Sequence, residues 1–391
     1  MKSEALYDVV IVGGALSGIS CAETLRTEGF DGSILIICGE NHLPYNRPPL
    51  SKQVLLGKWE ANQTAIFSAE KFGEWSLNIL LGKPATALDM YRKCVWVGQE
   101  QYFYRKLVIA TGVAPRKLQL AEGLEHTFSL RTIEDVTSIS EKIETSSSVA
   151  VIGAGVLGCE IASACVQLGR EVLIVEKSSA PQIPNSGGFI AAKIFDALHK
   201  RNVNMQYDVE IDHLTDRGQA LTLKLSNGNV FNADMLVVAV GSKPNTEWLE
   251  GSGLDLSDGV ICSDRGEAAP DIFAIGDVAN WADEKGVNGR RRENQTSAIE
   301  QGIAVGRYLV TGEVPKQTRS FFWSEILGNK ILIIGILHPD RDRLRMLQGN
   351  LEDDKFIIAT EVDGRFSGIL SWNMPKEFRE ARKLVEVEKN G

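Results

Sequence analysis

The six cysteines, Cys21, Cys38, Cys94, Cys159, Cys165 and Cys262, include no Cys-x-x-Cys pair, and no histidine joins them at a zinc spacing. An iron–sulfur cluster takes about four thiolates, usually with one close pair, and a structural zinc takes a comparable Cys/His set. Neither is expected, no metal site is expected, and most of the cysteines read as small buried hydrophobes. Long apolar runs are also missing: none reaches the roughly 18–20 residues that span a bilayer. The first apolar run follows Asp8 and enters a glycine turn rather than a cleavage site, so a cytoplasmic protein without a membrane segment is expected. Positive charge is short, with 42 Lys and Arg against 51 Asp and Glu and a net charge of −9. That balance argues against nucleic acid as a partner. One basic run, Arg290-Arg291-Arg292, reads either as a solvated loop or as a local basic patch.

What the chain does have is one nucleotide-binding device, twice. VVIVGGALSGISCA carries Gly13, Gly14 and Gly18 after an apolar run, and VAVIGAGVLGCEIA carries Gly153, Gly155 and Gly158. Each reads as strand, glycine turn, helix, strand, the unit of a doubly wound sheet. The first helix is expected from Ile19 to Glu28, stopped by Gly29, and the second to about Leu168, stopped by Gly169. A second echo pairs LVIATG (107–112) with LVVAVG (236–241). Two motifs repeated in the same order indicate a duplication. The length of 391 residues suits two or three domains. The expected architecture is α/β, with two Rossmann-like dinucleotide-binding domains and a small α+β C-terminal domain. The expected boundaries are 1–115 with 245–318 for the first dinucleotide, 116–244 for the second, and 319–391 for the C-terminal domain. VWVGQEQYFY reads as a hairpin through Gly98. Val362-Asp363-Gly364-Arg365 reads as a second hairpin turn, and 375–388 as a closing amphipathic helix.

The chemistry follows from the turns. A diphosphate sits on a helix N-terminus because backbone N–H groups there lack partners and the dipole end is positive. In the first copy the middle position of G-x-G-x-x-G is Ala15, whose methyl is the least obstructive side chain, and Glu40 ends the next strand as an acceptor for ribose hydroxyls. The second copy is unmodified, and its acid is Glu176. A carboxylate there repels a 2′-phosphate, which favours NADH over NADPH; the adjacent Lys177 weakens that preference. FAIGDVA (273–279) adds Gly276 and Asp277, suited to a ribityl chain and phosphate.

Taken together, two glycine fingerprints, ATG and a late Gly-Asp resemble the flavoprotein family that binds two dinucleotides, FAD and a nicotinamide. Within it, PYNRPPLSK (44–52) resembles the signature of the NADH:ferredoxin reductases that feed bacterial oxygenases and cytochromes P450, the putidaredoxin reductase-like branch. The likeness continues through LRTIEDV (130–136), RRENQTSAIEQG (291–302), FFWSEI (321–326) and the C-terminal GNLEDDKFIIATEVDGRFSGILSWN. Disulfide reductases of the same layout place a redox-active cysteine pair here or in the nicotinamide domain. NADH oxidases keep one cysteine after the second strand, where this chain has His42 and Leu43.

The resemblance implies a ferredoxin–NAD(+) reductase with FAD and NADH as cofactors. Lys52 and Glu160 are implied as the catalytic pair, Lys52 at flavin N5 and Glu160 on the nicotinamide side. Arg47, Ala85, Ala110, Thr111, Gly112, Arg131 and Trp323 are implied as FAD contacts, joining Gly13, Gly14, Ala15, Gly18, Glu40, Gly276 and Asp277. Leu157 and Gly241 join Gly153, Gly155, Gly158 and Glu176 on the NAD side. The implied partner is a 2Fe–2S ferredoxin of Rieske, plant or adrenodoxin type, docked by charge with Arg290, Arg291, Arg292, Lys316 and Arg319 as candidates. The chain itself is expected to be a monomer or homodimer. Gln295 stands where relatives usually have an aromatic residue, Glu325-Ile326 where they have Asp-Gln, and Gln182 and Asn185 near an expected basic residue; these bear on partner choice and NAD affinity. Two alternatives stay open. One is an NADH-dependent reductase of a small acceptor such as a quinone, monodehydroascorbate or oxygen. The other is a redox-sensing interaction protein resembling apoptosis-inducing factor.

Overall fold

The computed structural model describes residues 6–183, 187–218, 220–282, 289, 291–314, 319–337, 343–362 and 364–386. The chain divides into two compact units: Met1–Asn46, Thr64–Ala114 and Lys243–Thr318 form the first, and Arg47–Gln63, Pro115–Ser242 and Arg319–Gly391 form the second.

In the first unit the apolar runs become the centre of a sheet ordered Glu267–Ala269, Ile272–Ala274, Glu100–Ile109, Leu6–Val12, Ile34–Ile37, Leu77–Leu80. Its four central pairings are parallel, with Val10 opposite Leu35 on one side and Leu107 on the other. Ile34–Ile37 is buried at every position, as a strand covered on both faces must be. The expected hairpin through Gly98 forms, pairing Cys94–Val97 antiparallel with Glu100–Ile109. The helix Leu16–Thr27 covers one face and packs on the helix Gln295–Thr311, where Gly302 admits the backbone of Ser17.

The second unit repeats the plan. Its parallel sheet runs Asn204–Gln206, Glu171–Val175, Ser148–Ile152, Met235–Val238, Thr127–Phe128, with the helix Val156–Gln167 after the second glycine turn. The unit also holds a five-stranded antiparallel sheet, Phe321–Ile326, Asn329–Gly335, Arg365–Trp372, Lys355–Val362, Leu344–Asn350. The architecture is the α/β expected, with Rossmann-like parallel sheets and a C-terminal α+β part.

Two details differ from the sequence reading. The first fingerprint helix begins at Leu16, a turn before Ile19, because Ala15 O already accepts from the Ile19 N–H at 3.0 Å. The closing helix is two pieces, Pro375–Ala381 and Lys383–Glu386, interrupted at Arg382. Phe378 and Val385 are both buried, which accounts for the amphipathic pattern; positions 387 and 388 lie outside the described residues. Asp363 of the second hairpin turn also lies outside them.

Candidate functional site

The two glycine turns are built alike, bond for bond. Gly13 N–H donates to Ile37 O and Gly153 N–H to Val175 O, both at 2.8 Å. Ala110 N–H donates to Val12 O and Ala239 N–H to Ile152 O, both at 2.7 Å. These bonds tie each turn between the strand that follows its helix and the strand ending in ATG or AVG. Gly13 and Gly153 have φ of +118° and +102°, and a Cβ on them would lie 2.1 Å from Ala110 O and 2.4 Å from Ala239 O. A Cβ on Gly18 or Gly158 would lie 2.0 Å from the carbonyl oxygen of its own first glycine. These four glycines are therefore demanded by the fold, whatever it binds.

The middle position is different. Gly155 has φ −72° and ψ −176°, and Ala15 has φ −85° and ψ −169°, extended backbone open to any residue. A Cβ on Gly155 meets nothing nearer than Gln182 O at 3.8 Å. The protein leaves space there. Both fingerprint helices also start without a side-chain cap, whereas Thr132 and Asn294 cap the helices Ile133–Thr145 and Gln295–Thr311. Uncapped N–H groups beside open space fit a diphosphate, so the residues present suit a dinucleotide in each unit.

Around the first turn, the Tyr45 hydroxyl donates to Glu40 Oε2. The Thr111 hydroxyl donates to Asn245 O and the Asn245 amide to Thr111 O, both at 2.9 Å, which clamps the ATG turn at Gly112. Asn245 carried no signal in the sequence. Gly276 N–H donates to Gln301 Oε1 at 2.7 Å, and Asp277 O accepts from Arg291 at 3.1 Å. Ala85 packs against this unit's core, and the Gln295 amide donates to Asn46 Oδ1 at 3.1 Å.

Around the second turn, the Glu176 carboxylate is buried at 8% exposure. Its Oε2 accepts from Ala154 N–H at 2.6 Å and its Oε1 from Ser178 N–H at 2.7 Å. One oxygen thus braces the glycine turn itself, leaving further lone pairs for ribose hydroxyls. Gln182 N–H donates to Ala154 O at 3.0 Å, so the position near the expected basic residue brackets the turn by its main chain. Asn185 lies outside the described residues. Leu157 is half-buried on the fingerprint helix. Gly241 has φ +97° and its carbonyl accepts from Arg116 N–H at 2.9 Å.

A buried charged cluster forms wholly within the second unit. Lys52 lies on a single π-helical turn, Leu50–Val54, a geometry frequent at functional sites. That turn packs against the helix carrying Glu160. Lys52 Nζ is 2.7 Å from Glu160 Oε2, with the two residues 8% and 7% exposed. The Ser51 hydroxyl donates to the same oxygen at 2.6 Å, and the Ser324 hydroxyl to Glu160 Oε1 at 2.7 Å. Lys52 Nζ also stands 5.4 Å from the ring centroid of Trp323. Lys52, Glu160 and Trp323 are thus brought together, and Ser51 and Ser324 complete the set. Both serines lie inside motifs quoted above, PYNRPPLSK and FFWSEI, which was the available signal. Arg47 and Arg131 also meet, through an Arg47 donor to Arg131 O at 2.6 Å. Arg131 N–H in turn donates to Asp135.

Every cysteine is buried and none is in a disulfide. Burial pushes the thiols of Cys21, Cys38, Cys159, Cys165 and Cys262 up to about 12, with Glu40 adding to the rise at Cys38 and Glu160 and Glu176 at Cys159. Thiolate, the reactive form, is suppressed at neutral pH. Among the candidate docking cations, Arg291 is turned inward and ion-paired with Asp258 at 2.8 Å and Glu293 at 2.7 Å. Arg290 and Lys316 lie outside the described residues. Among the described residues no group of three or more His, Cys, Asp or Glu is placed to hold a metal, and no helix is long and apolar enough to cross a membrane.

A family model described as pyridine nucleotide-disulphide oxidoreductase matches residues 7–302. The chain is similar to the benzene 1,2-dioxygenase system ferredoxin–NAD(+) reductase subunit of Pseudomonas putida, at 30% identity over 383 residues, 97% of this chain and 92% of that one. It is similar to the solved ferredoxin reductase for the CYP199A2 system of Rhodopseudomonas palustris, with TM-score 0.90 and 27% identity, covering 98% of this chain and 95% of that one. It shares the fold of a chain in the covalent putidaredoxin reductase–putidaredoxin complex, with TM-score 0.88 and 24% identity, covering 97% and 93%.

Proposed function

The chain belongs to the pyridine nucleotide-disulphide oxidoreductase family, and on that premise we propose that it passes electrons from NADH to a 2Fe–2S ferredoxin serving a Rieske oxygenase or a cytochrome P450. It is an oxidoreductase that binds FAD and NAD(H). Bound FAD supplies the conversion such a reaction needs, accepting a hydride and releasing single electrons.

The protein's part is positioning and charge. The uncapped helix starting at Leu16, with Glu40, holds the FAD diphosphate and ribose. The matching helix starting at Val156, with Glu176, receives NADH. The resemblance assigns Lys52 to the reacting edge of the flavin, and Glu160 with its two serines fixes that ammonium in place. A fixed cation stabilises the negative charge that reduction places on the ring without reorganising as it develops. Arg47, Arg131 and Trp323 would complete the FAD contacts.

The observation that carries the external-acceptor reading is the burial of all six thiols. With no accessible thiolate in the chain to take the electrons, the acceptor is a separate molecule. The relative from Pseudomonas putida is named for a ferredoxin, which supports that choice. The test is NADH-dependent cytochrome c reduction with a panel of Rieske, plant-type and adrenodoxin-like ferredoxins. Strong stimulation by one of them is expected. Equal turnover without any ferredoxin, with a quinone as acceptor, would favour the small-acceptor alternative instead.

A further inference from the structure

Beside Glu176 the fold places a second acid. Lys177 follows Glu176 directly, the kind of neighbour that would attract a 2′-phosphate. Its Nζ lies instead 2.7 Å from Glu210 Oε1. The pairing is built by the backbone. Val209 N–H donates to Glu176 O and Asp208 N–H to Ser178 O, both at 3.3 Å, so the chain runs back alongside 176–178. Glu210 N–H donates to the Ser226 hydroxyl at 3.1 Å, and Ser226 N–H to Glu210 O at 2.9 Å, which pins the residue from the other side. The backbone thus brings Glu210 within reach of Lys177.

We propose that Glu210 is a specificity-determining residue that excludes NADPH by occupying Lys177. The inference rests on the reading of the Gly153 turn and Glu176 as the nicotinamide-nucleotide site. The two side chains are 77% and 59% exposed, and exposed pairs contribute little to stability. The pair acts on selectivity: a 2′-phosphate must compete with Glu210 for the ammonium and meets the carboxylate at the same place. Freed of Glu210, the Lys177 ammonium is no longer compensated by that carboxylate and can offset Glu176.

The test uses the FAD-loaded full chain. Calorimetric titration with 2′,5′-ADP and with ADP isolates the contribution of the 2′-phosphate. Glu210→Gln is expected to tighten 2′,5′-ADP by about 3- to 10-fold at low salt, with ADP unchanged and the gain shrinking by 300 mM salt. The NADPH-to-NADH ratio of kcat/KM is expected to rise in step. Glu210→Asp keeps the wild-type ratio, and adding Lys177→Ala to Glu210→Gln abolishes the gain. An unchanged 2′,5′-ADP affinity in Glu210→Gln, or a gain that survives Lys177→Ala, overturns the proposal. Failure of ADP itself to bind the wild type would overturn the site reading on which it stands.

Discussion

The Ser324 hydroxyl donates to Oε1 of Glu160 at 2.7 Å, from a strand 164 positions further along the chain. The C-terminal sheet thereby holds the one buried acid paired with Lys52. A second bond joins the same elements, from Leu327 N–H to the Ser163 hydroxyl at 2.8 Å. Ser324→Ala strips one oxygen of that carboxylate of its partner in the protein. The expected cost is about 1–3 kcal/mol of stability, read by denaturant unfolding of the FAD-loaded protein. Flavin reduction by NADH in a stopped-flow instrument is expected to slow as well. Ser324→Thr, which keeps the hydroxyl, is expected to restore the rate. Loss of stability with an unaltered reduction rate would reduce Ser324 to a purely structural role.

Lys52 and Glu160 are expected to behave as a unit. Removing one member of a buried pair leaves a charge without its counterion and costs about 3–5 kcal/mol, whereas replacing both costs much less. Lys52→Met and Glu160→Gln are therefore expected to be strongly non-additive in a double-mutant cycle, with a coupling of at least about 3 kcal/mol. On kinetics, Lys52→Met is expected to slow hydride transfer at least about tenfold, equivalent to ~1.4 kcal/mol in barrier. Additive effects would mean that the 2.7 Å contact does not couple the two.

Much of this was legible because it is local. A buried apolar run, a glycine at positive φ and a helix within a few residues of each other leave a pattern any reader of the chain can see, and both copies fold where the pattern lies. The candidate pair Lys52 and Glu160 was legible only through the motifs around them, since their contact spans the chain. Ser51 reaches Glu160 across 109 positions and Thr111 reaches Asn245 across 134. Glu210 reaches Lys177 only because the backbone of 208 and 209 returns beside 176–178. No periodicity encodes such partners; they exist only once the sheets have formed.

The glycines of the second fingerprint are expected to separate into two kinds. Gly153→Ala forces a Cβ to 2.4 Å from Ala239 O at φ +102°, so the variant is expected to fold poorly. Gly155→Ala adds a methyl where the nearest protein atom is at 3.8 Å, in backbone that alanine adopts freely. Its melting temperature is expected to stay near that of the wild type while the Kd for NADH rises. The first fingerprint already carries Ala15 at the equivalent place, so the change is expected to weaken binding rather than abolish it. A large drop in melting temperature for Gly155→Ala would show that this position serves packing.

The thiols set an alkaline limit on stability. Burial moves Cys21, Cys38, Cys159, Cys165 and Cys262 from 9.0 to about 12 in the folded protein. An unfolded chain loses those protons near pH 9, so the folded state binds more protons between about 9 and 12 and stability falls as pH rises through that window. Below pH 9 their contribution is fully present. Melting temperatures measured from pH 7 to pH 11 are expected to be flat at first and then to decline. In parallel, iodoacetamide at pH 8 is expected to modify none of the six cysteines until denaturant is added. Rapid native alkylation of any one of them would break the argument that electrons have no thiol exit.

Arg291 was a candidate for ferredoxin docking, and the structure gives it a different task. Its guanidinium is engaged with Asp258 at 2.8 Å, with Glu293 at 2.7 Å and with Asp277 O at 3.1 Å, and its side chain is 11% exposed. A cation so enclosed has its field cancelled by its own carboxylates and offers little to an approaching acidic partner. Removing it takes from Asp258 and Glu293 the cation that pairs with both and from Asp277 O its donor, which loosens the Gly276-Asp277 turn. Arg291→Ala is therefore expected to lower FAD affinity and thermal stability, while the KM for ferredoxin in the FAD-saturated enzyme and its ionic-strength slope stay near those of the wild type. Arg292→Ala, at the exposed residue that follows, is expected to raise the ferredoxin KM most at low salt, where charge steering is least screened. If turnover with ferredoxin proved insensitive to salt between about 20 and 300 mM in the wild type, the electrostatic account of docking would fail for Arg292 as well.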